Sequence, residues 1–221
     1  MAAKDEARLA KARAALLDAA IENVVFDGFT PRVLEEAAKS LKIKPELAQL
    51  AYPGGPKDLL RAWSHKLDDE TRAELEAADL AGLKIRQKIA KGVRLRIGRM
   101  SEQKIAARRA AAFLAVPFNA PMGAELTFRT ADAIWRAIGD TSTDFNYYTK
   151  RTLLAGVMTT TLLFWFSDES EDAADTWAFL DRRIENVMSI EKAKAGLKDA
   201  AAKLPDPFKF LSALRYGERG K

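Results

Sequence analysis

The sequence has no cysteine and a single histidine, His65, among 221 residues. Without thiols there is no disulfide framework, thiolate nucleophile, iron–sulfur cluster or cysteine-ligated zinc. One histidine excludes a two-histidine metal site within the chain. A long uncharged apolar run is missing as well. The longest, residues 153–166, is 14 residues and includes Thr159, Thr160 and Thr161. A bilayer span needs roughly 17–25 apolar residues, so this run reads as a buried core helix. Residues 1–13 are charged and Ala-rich, with Asp5 and Glu6, and lack the apolar core of a signal peptide. A cytoplasmic protein is therefore expected.

The elements of an active site are also scarce. Gly54 and Gly55 lie between Pro53 and Pro56 and lack Walker spacing. His65 has no nucleophile pattern around it and reads as a surface or capping residue. The carboxylate pairs Glu35-Glu36 and Asp68-Asp69 fall on ordinary charged helix faces. No serine has an elbow context. Catalysis is not expected, and neither a cofactor nor a metal is called for.

What remains is helix. Leu9, Leu16, Leu17, Ala20, Ile21, Val24 and Val25 recur at helical spacing across residues 5–26. Gly28 marks a stop, and Thr30-Pro31 supplies a cap with proline in the first turn. A second helix reaches about Ser40, and Pro45 opens a short third one that ends near Tyr52. The cluster Pro53-Gly54-Gly55-Pro56 is a break. Further helices are predicted over residues 57–77, over a stretch after Gly82, and over 104–116, 121–139, 145–166 and 171–195. Ile85, Ile89, Val93 and Ile97 step by four and define one apolar stripe. The fold class is all-α. Three regions are expected: a helix-turn-helix-like unit at 1–55, a helical ligand-binding region at 56–196, and a linker with a terminal helix at 197–221.

Positive charge gathers in the middle of the chain. Residues 84–109 carry ten basic residues against Glu102 alone, a net +9 that leaves −4 for the remainder of a +5 chain. Such a run is commonly the solvated face opposite an apolar stripe. The functional alternative is a patch for anionic lipid or an acidic partner.

The first sixty residues have helix-turn-helix order. Leu16-Leu17-Asp18-Ala19-Ala20 through Gly28-Phe29, closed by Tyr52-Pro53-Gly54-Gly55-Pro56-Lys57-Asp58-Leu59-Leu60, resembles the start of TetR-type regulators. Base reading requires Arg, Lys, Asn or Gln on the reading helix. Residues 45–51 offer only Gln49, and Glu46 would repel phosphate, although Lys39, Lys42 and Lys44 lie nearby. A scaffold that no longer reads DNA is favoured, and a TetR-type ligand-responsive regulator is the alternative.

The second half carries a more specific signature. Gly139-Asp140, Ser142-Thr143-Asp144, Asn146, Tyr148, Thr149 and Arg151 are followed by Asp168, Ser170, Thr176-Trp177 and Phe179-Leu180. In this order they resemble the Coq-nine family of ubiquinone-biosynthesis accessory proteins, with Tyr147 where that family usually has Trp. The resemblance implies a TetR-like helical bundle without DNA binding. It implies an isoprenoid or quinone-type lipid in a helix-lined cavity, and a surface that engages a ubiquinone-biosynthesis hydroxylase. On that basis Asp144, Asn146, Tyr147, Tyr148 and Arg151 are partner-site candidates. A homodimer, peripheral on the inner face of a membrane, is expected.

The residue chemistry offers candidate pocket material. Leu154, Val157, Met158, Leu162 and Trp165 belong to a helix apolar nearly all round, which predicts a central position. Phe113, Leu114, Phe118, Met122, Leu126 and Ile134 supply facing side chains. These eleven are the lipid-binding candidates, with plain core packing as the alternative for each. Neighbouring helical residues lie about 100° apart, so Tyr147 and Tyr148 cannot both point inward. In the tail, Phe208, Phe210, Leu211 and Leu214 gather on one side of a short amphipathic helix and are the membrane-contact candidates. Docking on the protein's own core or on a second subunit is the other reading.

Overall fold

The computed structural model describes the backbone of residues 2–203 and the side chains of residues 4–189. The tail candidates Phe208, Phe210, Leu211 and Leu214 lie outside the described residues. Nine α-helices, and no strand, occur among the described residues: α1 (Ala2–Asp27), α2 (Pro31–Ser40), α3 (Pro45–Ala51), α4 (Pro56–Ala77), α5 (Ile85–Gly98), α6 (Lys104–Ala115), α7 (Ala120–Ala137), α8 (Phe145–Ser167) and α9 (Ala174–Lys203). The chain divides into two compact units, Met1–Leu180 and Asp181–Lys221. In the second unit α9 continues to Lys203.

Local chemistry sets the helix starts. Pro31, Pro45, Pro56 and Pro121 each stand in a first turn, where a missing N–H costs nothing. The Gln87 side chain accepts from the Lys84 amide at 2.9 Å at the start of α5. The Asp144 carboxylate caps α8 by accepting from the Asn146 amide at 3.0 Å. After α7, Gly139 takes φ +90°, a conformation that side-chain-bearing residues rarely adopt, and the chain turns into the 140–144 loop.

In the first unit, α1 packs on α2, α3, α4 and α6, and α4 packs on α5 and α7. Leu16, Ile21, Val24 and Val33 bury the head, while Leu59, Leu60, Leu75, Val93, Ile97 and Ile134 bury the body. The α5 stripe is confirmed at Ile89, Val93 and Ile97. Ile85 remains 53% exposed, because it is the first helical residue and lies past the body it would cover.

Three expectations are corrected. Helix α8 is not central: Thr152, Gly156, Thr159, Thr160, Leu163 and Ser167 form an exposed, uncharged face. The basic run is not one solvated face. Arg96 is buried, Arg99 pairs with Glu70 and Glu74, and Lys104 donates to the Asp168 carbonyl at 2.8 Å. The last helix starts at Ala174, after a 3-10 turn over Glu171–Ala173.

The α5–α7 crossing leaves no room for a side chain at Gly92. A Cβ added to Gly92 would meet the Ile134 side chain at 2.7 Å and Leu75 at 3.2 Å, whereas one on Gly98 meets nothing within 4 Å. Gly92→Ala is expected to destabilise the fold by about 1–3 kcal/mol through overpacking. Gly98→Ala should be neutral or stabilise by roughly 0.5–1 kcal/mol. Urea melts of the two variants check this.

Candidate functional site

Two sites emerge, and α8 contributes to both. The first is a cavity of about 120 Å³ between α4, α5, α6, α7 and α8. Its apolar lining includes Leu60, Trp63, Ile97, Met100, Leu114, Leu126, Met158 and Leu162. Thr159 also lines it and is exposed, so the cavity reaches the surface there. The lining is interrupted by a buried polar floor of Ser64, Arg96 and Thr130.

That floor is organised by Asp68, only 1% exposed. Its Oδ1 accepts from Arg96 Nε at 2.9 Å and from the Thr130 hydroxyl at 2.8 Å. Arg129 approaches its Oδ2 at 3.7 Å. The pairing explains why a charged residue survives on the inner face of α5: a buried carboxylate and guanidinium are tolerable only together. A positional signal was available. Arg96 stands three residues after Val93 and seven after Ile89, on the apolar stripe.

Four of the eleven lipid candidates, Leu114, Leu126, Met158 and Leu162, line this cavity. Phe113, Met122, Ile134, Leu154, Val157 and Trp165 do not. Met122, Ile134, Leu154, Val157 and Trp165 are buried core residues, and Phe113 packs against Phe29. Phe118 is 82% exposed, with Lys57 Nζ 4.1 Å from its ring centroid. Proline at 117 ends α6 before Phe118 can turn inward.

The second site surrounds the N-terminus of α8. Arg151 is 1% exposed. It donates from Nε to Asp132 at 2.7 Å and from Nη1 to Asp140 at 2.9 Å and to the Tyr147 carbonyl at 3.3 Å. Lys150 Nζ bonds Asp140 and Ser142, each at 2.7 Å. The Trp135 indole N–H donates to the Lys150 carbonyl at 3.2 Å. Burial alone would raise the Asp140 carboxyl, but hydrogen bonds from Lys150, Arg151 and Ser142 outweigh it and hold the group at about 2. Arg151 therefore lies beneath this surface, not on it.

On the surface, Tyr147 is half-buried, its ring 3.7 Å from the Arg151 guanidinium and packed edge-on against Tyr148. Tyr148 is 62% exposed, and Asp144 and Asn146 are exposed. The structure adds a residue the sequence reading missed, Phe145, 81% exposed. Phe145 and Tyr148 are three residues apart on a helix and share a face. Asp144, Thr143 and a shallow cleft reaching Arg136 and Asp140 border them.

Elsewhere the chemistry is sparse. Among the described residues no group of three His, Asp or Glu side chains could hold a metal. No described helix is long and apolar enough to cross a membrane. His65, expected at the surface or as a cap, is only partly exposed. It is half-buried with Nε2 shielded and unpartnered, and burial, with Arg129 nearby, lowers its pKa. In the head, Gln49 spends its amide on the Pro53 carbonyl at 3.2 Å. Beside it Leu50 is 58% exposed, so α3 presents an apolar residue where a base reader would carry a donor.

Comparison with known proteins matches these features to a family. The COQ9 family model matches residues 120–191, the stretch that holds α7, the Asp132–Arg151–Asp140 network and α8. "Ubiquinone biosynthesis protein COQ9, mitochondrial" of Rattus norvegicus is 32% identical over 182 residues, covering 79% of this chain and 58% of that protein. The Homo sapiens protein of the same name is 32% identical over 181 residues, with coverage of 79% and 57%. A probable coq9 protein of Dictyostelium discoideum is 33% identical over 141 residues, covering 61% and 43%. The chain thus spans under three-fifths of the length of these curated relatives. In fold it is similar to a TetR transcriptional regulator from Nitrosomonas europaea ATCC 19718, with a TM-score of 0.62 at 19% identity, covering 79% of this chain and 97% of that one.

The Arg151 network makes an acid-stability prediction. The folded Asp140 carboxyl sits near 2, below an unfolded value of about 3.9. Its stabilising contribution is complete above the unfolded value and is lost as pH falls from about 4 through 2. Asp140→Asn should therefore flatten the fall of Tm between pH 4 and 2. An unchanged slope would remove Asp140 from the acid response.

Proposed function

We propose, from the match of residues 120–191 to the COQ9 family model, that this chain acts in ubiquinone biosynthesis as a non-catalytic lipid carrier. It binds a prenylated quinone precursor or related isoprenoid and delivers it to a membrane-associated hydroxylase. The observation that carries the reading is the shared face of α8. Tyr148 and Thr159 are eleven residues apart, about 16 Å along the axis and roughly 20° apart around it. The exposed aromatic pair and the mouth of the cavity therefore look out in one direction. Between them the face offers Thr152 and Gly156, with no charge to obstruct an apolar chain.

The cavity size constrains how a lipid would be held. An engineered 150 Å³ apolar cavity takes one benzene, so about 120 Å³ holds one ring or one prenyl unit. A longer isoprenoid would leave the cavity and lie along the neutral face of α8. Burial contributes about 0.8 kcal/mol per methylene before ordering costs. The hydroxylase would dock on Phe145 and Tyr148, since exposed aromatics make hot spots. Arg151 and Tyr147 set the geometry beneath. A peripheral membrane position and a homodimer belong to the same proposal.

Native mass spectrometry with lipid extraction tests the carrier. Prenylated quinone or phenol is expected in the purified protein, and an empty protein that also refuses such lipids would sink the idea. Phe145→Ala and Tyr148→Ala should each weaken hydroxylase capture about tenfold or more, with Tm nearly unchanged for Phe145→Ala and lowered by at most a few degrees for Tyr148→Ala, which gives up its edge contact with Tyr147. Tyr147→Ala should also lower Tm, because its ring covers Arg151. Full capture by the Phe145 and Tyr148 variants would reassign the docking surface.

A further inference from the structure

The floor of the cavity carries a donor that its neighbours do not match. Arg96 is 93% buried and lines the cavity. A guanidinium has five N–H donors. Nε goes to Asp68 at 2.9 Å, but Nη1 meets only the Met100 sulfur at 3.3 Å and Nη2 only the Ser64 hydroxyl at 3.4 Å. Sulfur is a weak acceptor, and 3.4 Å is long for an N–H···O bond. Among the described residues, the outer end of Arg96 therefore holds two poor acceptors and four N–H groups, in a cavity otherwise lined mainly by apolar groups. Buried charges of this kind are normally bonded fully.

We infer that Arg96 is a head-group anchor: it binds the ring oxygen of a phenol or quinone that enters the cavity head first. Three observations converge on that class of ligand. The volume fits one ring. The apolar walls fit the ring's faces. The one cation takes an oxygen acceptor, and Ser64 and Thr130 add hydroxyls beside it. Asp68 already supplies Arg96 with a counter-charge. A neutral carbonyl or hydroxyl matches the balance. The tail then leaves past Thr159 onto the α8 face. Carried this way, the ring is shielded from water and from oxidants, and it meets the hydroxylase only after it leaves the cavity. This inference rests on the carrier reading and adds the direction in which the ligand is held.

The test compares 2-prenyl-1,4-benzoquinone with prenylbenzene, which has similar shape without the oxygens. Equilibrium dialysis against the full chain should show the quinone bound at least about tenfold tighter, the discrimination expected of a hydrogen bond to a charged group. Arg96→Met alone strands the Asp68 charge and endangers the fold, so the informative variant is Asp68→Asn with Arg96→Gln, which keeps a hydrogen-bonded pair. In that variant the quinone should fall to the level of prenylbenzene, and prenylbenzene should bind as in wild type. Equal binding of both probes to wild type overturns the Arg96 anchor and leaves the carrier reading standing. Binding of neither overturns both. If the variant melts as wild type and still prefers the quinone, the oxygen is bound elsewhere and the anchor assignment is wrong.

Discussion

One carboxylate, Asp68, ties the body of this molecule together. It projects from α4 into the bundle and takes a hydrogen bond from Arg96 of α5 and another from Thr130 of α7. An isolated carboxylate at 1% exposure would lose its charge or unfold its surroundings. The three helices are therefore constrained to meet at one geometry. That junction lies beneath the cavity, so the polar floor and the packing of α4, α5 and α7 are the same structural fact. Replacing the pair with apolar residues could match or exceed its stability. What the charges supply is placement: they fix where one cation faces an otherwise largely apolar space.

A second buried arginine repeats the device at the other site. Arg151 joins Asp132 of α7 to Asp140 of the following loop from its own position on α8. The loop is thereby held against the helix start that carries Phe145 and Tyr148. An exposed ion pair would contribute little and would wander. At 1% exposure this one has low-dielectric surroundings and three acceptors, and its geometry is firm. The aromatic surface is thus presented by a rigid base, which keeps the entropy of ordering it upon docking low.

The sequence made the helices legible because their punctuation is chemical. Proline in four first turns, a capping Asp144, and Gly28 and Gly139 at turns each state a boundary independently of packing. The region from Asp140 to Leu180 was legible for a different reason, since its motif order is specific. The buried arginines were misjudged. Arg96 was counted into a basic surface and Arg151 into a docking surface, because charge was read ahead of position. Yet Arg151, Leu154, Met158, Thr161 and Trp165 follow helical spacing and are all buried. The same rule places Arg96 with Ile89, Val93 and Ile97. What no single-chain pattern contains is the partner. Asp68 lies 28 residues from Arg96 and Arg151 19 from Asp132, and only tertiary packing brings them together. Phe118 departs for a local reason: the chain leaves α6 before Pro117, and the side chain that follows faces out.

The peripheral place of α8 poses the last problem. Its composition is nearly all apolar or hydroxyl, which ordinarily predicts a helix enclosed on every side, yet one face is open. Leu163 alone is 58% exposed. Thr152, Thr159 and Thr160 keep that face soluble without placing a charge on it. On the same face Thr160 donates to the Gly156 and Val157 carbonyls, and Ser167 donates to the Phe164 carbonyl, so these two hydroxyls are turned back onto the helix. Satisfied in this way, they present methyl and methylene groups outward. A helix built only for solvent would carry Lys or Glu at such positions, as α4 does with Lys66, Asp69, Arg72 and Glu76. A helix built only for core would not be open. A neutral, slightly polar, mainly apolar face suits a transient apolar occupant that must both bind and leave. That is the property the outlet of the proposed carrier would require, and the face runs toward the exposed pair Phe145 and Tyr148.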